Sequence, residues 1–218
     1  MTRGAFVTLE GGEGSGKSTQ ISRLAARLEA GGQPVLVTRE PGGSTLGRRI
    51  RELLVRVSDD PPSALAELFL YAADRAHHVE TVIRPALEAG QVVLCDRYAD
   101  ATEAYQGWGR GLGLDLIREL NGLATTGLWP DRTVVLDLPP GEGVTRSLER
   151  QRRSAAPREE RFEVETVAFH ERVREGYRAI AAAVPNRVRV VDAAGDPETV
   201  AARVWEAVAD LFEQAAGT

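Results

Sequence analysis

The chain has one cysteine in 218 residues, so an internal disulfide framework is excluded, and with it the stapled scaffolds of small secreted domains. A reducing compartment, the cytoplasm, is the expectation. That residue, Cys95, sits in the apolar run VVLCD, which suits a buried strand better than a reactive thiol. Nothing in the chain approaches the ~20 consecutive apolar residues of a membrane span, and MTRGAFVTLE enters a strand-like pattern almost at once; no membrane partner is expected. Positive charge is also short: 27 Lys and Arg stand against 32 Asp and Glu, a formal net charge of -5. Sequence-independent nucleic-acid binding needs a clustered basic surface, so any phosphate handled here should be small and locally held. No internal repeat or low-complexity linker is visible.

The sequence does have core-forming pattern. With 43% hydrophobic and 27% charged residues, it reads as one globular domain, residues 1–218. The runs AFVTL (5–9), PVLVT (34–38), VVLC (92–95), TVVLDL (133–138) and VRVVD (188–192) look like short buried strands, rich in β-branched residues and bounded by Gly, Pro or Asp. Helical stretches such as QISRLAARLEA, GRRIRELLVRV, LAELFLYAADRAHHVETVIRPALEA and PETVAARVWEAVADLFEQAA lie between them. This alternation predicts an α/β fold, a parallel sheet with helices on both faces. One segment breaks the pattern, the charge-rich ERQRRSAAPREERFE at 149–163. It reads either as a solvated surface loop or as a mobile lid whose arginines close on phosphates.

Residues 11–18, GGEGSGKS, match G-x-x-x-x-G-K-[ST] after a strand and before a helix. A chance turn can carry the same spelling, but this context favours a phosphate loop. Gly11, Gly12, Glu13, Gly14, Ser15, Gly16, Lys17, Ser18 and Thr19 are therefore the candidates for ATP. The backbone N–H groups would face the anion, Lys17 would reach the β/γ-phosphates and Ser18 would offer its hydroxyl to Mg²⁺. Strand VVLC leads into Asp96 and Arg97. In open α/β sheets ligands collect at carboxyl ends of strands, so Asp96 is a candidate for Mg²⁺ and Arg97 for a phosphate oxygen, unless the two simply pair structurally. A triphosphate loop says nothing about the acceptor.

Four segments narrow that choice. LEGGEGSGKST, TREPGGS, DRYADATEAYQG and PDRTVVLD resemble bacterial thymidylate kinase, and the similarity runs from residue 5 to about residue 210. The resemblance implies a P-loop kinase with strand order 2-3-1-4-5 that moves the γ-phosphate of ATP to dTMP with Mg²⁺. It implies Arg51 and Arg97 on the dTMP phosphate, Tyr71 stacked on thymine, and Arg75, Thr102 and Gln106 on the base edge. Tyr105 would crowd the sugar's 2′ position, and Glu13 would point towards the acceptor sugar, so that one loop serves both substrates. Where the family often has a second hydroxyl residue, this chain has Ala101. The loop carries no arginine, which moves the search for catalytic positive charge to the 149–163 segment: Arg153, Arg158 and Arg161, the last best matched through Glu160-Arg161. Lys17, Asp96, Arg97, Arg153 and Arg161 form the catalytic set, and Ser18 and Asp96 the metal set. A homodimer through helices away from the site is also implied. Phe69 reads as core, His77 and His78 as partly exposed helix surface, and DAAGD at 192–196 borders the adenine side. The rivals are a same-fold kinase for another acceptor such as dUMP, and a P-loop switch, which has no use for the base-reading set.

Overall fold

A computed structural model of the chain describes residues 3–56, 58–143, 145–146, 161–162 and 165–213. Five strands, β1 (Phe6–Gly11), β2 (Val35–Arg39), β3 (Val92–Asp96), β4 (Arg132–Asp137) and β5 (Val188–Asp192), form one sheet in the order β2-β3-β1-β4-β5. Every pairing is parallel, as the strand-helix alternation and the resemblance both predict. The α-helices among the described residues include α1 (Lys17–Ala30), α2 (Thr45–Val55), α3 (Ala64–His78), α4 (Arg84–Glu88), α5 (Ala99–Thr102), α6 (Leu114–Thr125), α7 (Val167–Ala183), α8 (Pro197–Val208) and α9 (Asp210–Glu213).

Side chains alternate across the sheet because strand side chains have a period of two. Val7, Leu9, Leu94, Val134 and Leu136 pack with Ile21, Leu24 and Leu28 of α1 and with Val204 and Val208 of α8. Phe6, Val93 and Cys95 point the other way, onto Val79, Ile83 and Leu87. Cys95 is fully buried there, as its apolar context suggests. Uniform burial of the strands holds only for the inner three: Val37 of β2 is 50% exposed and Val190 of β5 is 45% exposed. These are the two edge strands, which lack a neighbour on one side.

Residues 65–89 read as one helix in the sequence, but α3 and α4 are separated by a π-helical turn, Val79–Ile83. Pro85 explains the break, since it brings no N–H and its ring crowds the preceding turn. Phe69 is not core: it is 51% exposed and shares the outer face of α3 with Leu65 four residues earlier, while Leu68 and Ala72 turn inward. No helix among the described residues is long and apolar enough to cross a membrane.

Helix caps separate structural ends from a functional one. Ser44, Ser63, Thr166 and Asp196 each accept a backbone N–H at the start of α2, α3, α7 and α8, which satisfies donors that helix geometry leaves over. Helix α1 starts from Gly16 with no side-chain cap and no acid in its first turn. Its free N–H groups and positive dipole end are left for an anion.

Candidate active site

A cleft of about 720 Å³ lies at the carboxyl ends of β1, β2 and β3. The phosphate loop forms one wall. Gly14 has φ +67, and a Cβ there would lie 1.9 Å from the Gly143 carbonyl oxygen; only glycine permits that backbone contact. Lys17, 8% exposed, turns its Nζ onto the carbonyls of Gly11 (3.1 Å) and Gly12 (2.9 Å). Burial, helped by the nearby Arg97 charge, lowers its pKa to about 8. Gly14, Ser15, Gly16 and Ser18 line the cleft with Lys17. Gly11 and Gly12 form the loop's rear face against β4 and α7, and Thr19 is exposed on α1 outside the cleft lining.

Opposite the loop, β3 delivers Asp96 and Arg97. Ser18 Oγ donates to Asp96 Oδ2 at 3.4 Å, so the two expected metal side chains are adjacent. Arg97 has φ 68, a left-handed conformation that non-glycine residues rarely hold unless the surroundings impose it. Here its N–H donates to Leu9 O at 3.0 Å and its carbonyl accepts the Cys95 thiol at 3.0 Å. The guanidinium donates to Gly11 O (3.0 Å) and to Glu13 Oε1 (2.7 Å), and lies 4.7 Å above the Tyr105 ring. Tyr105 also donates its hydroxyl to Glu13, at 3.0 Å. Burial alone would raise the Glu13 carboxyl, but the Arg97 and Lys17 charges and this hydroxyl together hold it down at about 2. The Glu13 carboxylate is thus bonded to Arg97 and Tyr105 across the cleft.

The third wall comes from α2, α3 and the π-helical turn Glu103–Gly109. Arg51 donates to Pro41 O at 3.1 Å, and Tyr71, Ala101, Thr102, Tyr105 and Gln106 line the cleft with it. Arg75 is 1% exposed. It donates to Glu40 (2.9 Å), Asn121 (2.8 Å), the Tyr98 carbonyl (3.0 Å) and Thr102 Oγ1 (3.0 Å). His78 proves fully buried, bonded to Glu40 at 2.9 Å and to Thr38 at 2.7 Å; the Glu40 carboxylate draws it in from the helix surface expected for it. His77 is partly exposed.

Arg161 is not brought into the cleft. It donates to Leu54 O (3.0 Å) and Pro62 O (3.2 Å) and pairs with Glu67 at 2.6 Å, because a buried carboxylate is the stronger local attraction for its fork of donors. Its neighbour Phe162 does line the cleft. Arg153 and Arg158, with the rest of 149–160, lie outside the described residues. The segment 192–196 runs from the end of β5 to the Asp196 cap of α8, beside α1 through the bond from Gln20 to Pro197 O at 3.0 Å.

Several supporting residues escaped the sequence reading. Glu10 accepts the Tyr98 N–H at 2.7 Å and the Tyr177 hydroxyl at 2.8 Å, and Tyr177 in turn receives Arg97 Nη1 at 3.3 Å. Burial, and then the Asp100 charge, raises Glu10 to about 8. A charged residue inside an apolar strand was a usable signal for Glu10. Tyr177, Asn121 and Glu67 lie on helices with no local motif, and only tertiary packing reveals them.

The comparisons with known proteins agree with this geometry. The thymidylate kinase family model matches residues 9–204. A thymidylate kinase of Solidesulfovibrio magneticus is 56% identical over 208 residues, covering 95% of this chain and all of that one. A thymidylate kinase of Synechococcus sp. is 55% identical, covering 93% of both chains. Among solved structures, the crystal structure of thymidylate kinase from Ehrlichia chaffeensis superposes with a TM-score of 0.75 at 32% identity, covering 94% of this chain and 98% of that one. A five-stranded parallel sheet in this order, a phosphate loop facing a base-sized wall, and relatives matched along nearly their whole length leave one assignment: the chain belongs to the thymidylate kinase family.

Proposed function

We propose that the cleft transfers the γ-phosphate of ATP to dTMP, giving ADP and dTDP. The observation that carries this reading is Glu13: an acid in the phosphate loop bonded to both Arg97 and Tyr105 of the acceptor side. One short loop thereby touches donor and acceptor, which phosphoryl transfer by positioning requires. Lys17 and the uncapped start of α1 hold the triphosphate, Arg51 and Arg97 orient the acceptor phosphate, and Tyr71, Arg75, Thr102 and Gln106 read the base. No covalent intermediate is needed. A switch would leave these base readers without a task.

The donor set also suits Mg²⁺. Ser18 and Asp96 offer hard oxygen ligands 3.4 Å apart, and among the described residues no cluster of three or more His, Cys, Asp or Glu competes for a metal. A cation bound by one or two side chains plus phosphate oxygens and water is the usual Mg²⁺ arrangement. When bound, it neutralises phosphate charge.

The chain acts, in this reading, as a single kinase domain with a lid at about 149–163, in the cytoplasm, as a homodimer. Support for the dimer comes from α2, α3 and α6, which lie side by side and expose Leu53 (61%), Phe69 (51%) and Leu123 (69%) away from the cleft. An apolar face of this kind suits a second copy of the same chain. Phe69→Glu should convert a dimer to a monomer by sedimentation velocity; a chain that sediments as a monomer before mutation removes the dimer from the proposal. For the reaction, ADP release is measured with ATP, Mg²⁺ and a panel of monophosphates. Turnover with dTMP well above that with AMP or no acceptor is expected, and equal rates would overturn the assignment.

A further inference from the structure

Glu67 lies on α3, fully buried, and three donors from different parts of the chain converge on its carboxylate. Gln106 Nε2 donates to Oε1 at 2.7 Å; Arg110 donates through Nε at 3.3 Å and Nη2 at 3.4 Å; Arg161 reaches Oε2 at 2.6 Å. Arg110 is held from its other side by Glu165. Glu67 lies behind the cleft wall and is not part of its lining, whereas Gln106 is.

We propose that Glu67 is the positioning residue that fixes which end of the Gln106 amide faces the acceptor base, and so selects a base that presents an N–H donor. This rests on the dTMP-kinase reading above. An amide side chain has a donor end and an acceptor end of nearly equal size, and its neighbours decide the orientation. A carboxylate held by two guanidinium groups offers only lone pairs, so the NH₂ end of Gln106 must turn to it. The carbonyl end is then what the cleft receives. At the ring nitrogen between two carbonyls thymine carries a hydrogen, whereas cytosine carries a lone pair at that position. An inward carbonyl pairs with the first and opposes the second.

Arg75 is arranged the same way. Its Nε is committed to the buried Glu40, its Nη2 to the Tyr98 carbonyl and Thr102, and its Nη1 to Asn121, which leaves one N–H of the five for a further acceptor. Both readers are thus held by a buried acid, Glu40 at the edge of the cleft lining and Glu67 behind it. The two select in one direction: a donor for the carbonyl oxygen of thymine, and an acceptor for its N–H.

The test compares kcat and KM for dTMP, dUMP and dCMP in the wild-type chain, Glu67→Gln and Gln106→Met, each checked for folding by circular dichroism. In Glu67→Gln the amide is free to rotate and offer its NH₂ to the cleft. KM for dTMP should rise about 10-fold, with a smaller change in kcat, and the dCMP-to-dTMP ratio of kcat/KM should rise by about 10-fold or more, the scale of one misdirected buried hydrogen bond. Gln106→Met leaves the arginines on Glu67 undisturbed and should lose selectivity to a similar degree. The double variant should be no less selective than the worse single one. A folded Glu67→Gln that keeps the wild-type ratio while Gln106→Met loses it overturns the positioning role, and so does unchanged selectivity in both. If Glu67→Gln does not fold, Glu67→Asp keeps the charge for the arginines but draws the carboxylate back from Gln106; the ratio should rise there too, and a wild-type ratio again overturns the proposal. Absence of dTMP turnover in the wild-type chain is the separate result that defeats the functional assignment itself.

Discussion

On the loop side of the cleft, the groups that the proposed reaction offers to phosphate are backbone N–H groups, one lysine and the open end of α1. On the base side the groups are side chains, each aimed by another side chain: Arg75 by Glu40, Gln106 by Glu67, Arg97 by Glu13 and Tyr177. The materials follow from the ligands. A triphosphate is a dense anion that any converging set of N–H groups will hold, so local chain geometry suffices. A base must be told from its near relatives by the direction of individual hydrogen bonds, which a buried polar network can fix only if every member is satisfied. The loop side should therefore fail through backbone changes, and the base side through single atoms.

Arg97 belongs to both sides, and its loss should be the most damaging. Arg97→Ala removes the donor to Gly11 and the partner of Glu13 together. A fall in kcat of about 10³-fold or more is expected, the scale of catalytic arginines in phosphoryl transfer, with a melting temperature lowered by only a few degrees. Stopped-flow or coupled ADP assays with a thermal melt decide it. Global unfolding would make Arg97 a structural residue, and unimpaired turnover would take it out of the chemistry. Next in size is Gly14→Ala, which tests the loop side alone. The added methyl would sit 1.9 Å from Gly143 O at φ +67; strain of this kind costs roughly 1–3 kcal/mol, or about 10- to 100-fold in ATP affinity. Titration of a fluorescent ATP analogue should show that loss while the binding of dTMP changes much less. Equal losses for both ligands would erase the distinction between the two sides.

The same distinction explains what the sequence made legible. The five strands, the loop and the Asp96-Arg97 pair are encoded in contiguous letters whose spacing is dictated by backbone geometry, whereas the strand order came with the resemblance. Even Glu13 stood out locally, as an acid where an anion cradle has no use for one, and its bonds to Arg97 and Tyr105 account for it. The base-side residues were identified by resemblance, since an arginine or glutamine on a helix has no local mark of its role. Among their supports, Glu40, Glu67 and Tyr177 were not identified. Glu67 lies 39 positions from Gln106, Glu40 lies 35 from Arg75 and Tyr177 lies 80 from Arg97; periodicity carries no information on such pairings. Phe69 failed for a related reason. Helical spacing marks an apolar face, but not whether anything in the chain covers it.

A smaller effect distinguishes the two sides by protons. Lys17 has its pKa lowered to about 8, chiefly by burial, and a bound triphosphate would favour the charged form. At pH near 8 the free protein holds only part of that proton, so ATP binding should take up a fraction of a proton, declining towards pH 6 where Lys17 is already charged. Calorimetry in two buffers of different ionisation enthalpy measures this directly, and Lys17→Met should abolish it. Binding of dTMP alone should show less uptake at Lys17; identical uptake for both ligands would mean that Lys17 does not separate the two sides.

The mildest break concerns Glu10, three residues before Glu13 on the same chain and shifted the opposite way. Glu13 faces Arg97 and Lys17 and is held at about 2; Glu10 is buried below the loop with the Asp100 charge nearby and is raised to about 8. For Glu10 the folded protein keeps a proton that the unfolded chain, near 4.5, has released. Its contribution to stability is complete below about 4.5 and is lost as the pH rises towards about 8, since the unfolded state binds fewer protons across that window. Glu10→Gln removes the titration, while its amide oxygen can still accept the Tyr98 N–H and its NH₂ can meet the Tyr177 hydroxyl, so kcat should change by less than about 3-fold, within the net worth of one hydrogen bond. Urea midpoints measured from pH 5 to pH 8 should show the wild-type chain losing stability relative to Glu10→Gln as pH rises. Parallel curves would place the proton elsewhere and would leave Arg97 supported by Tyr177 without any titrating group beneath it.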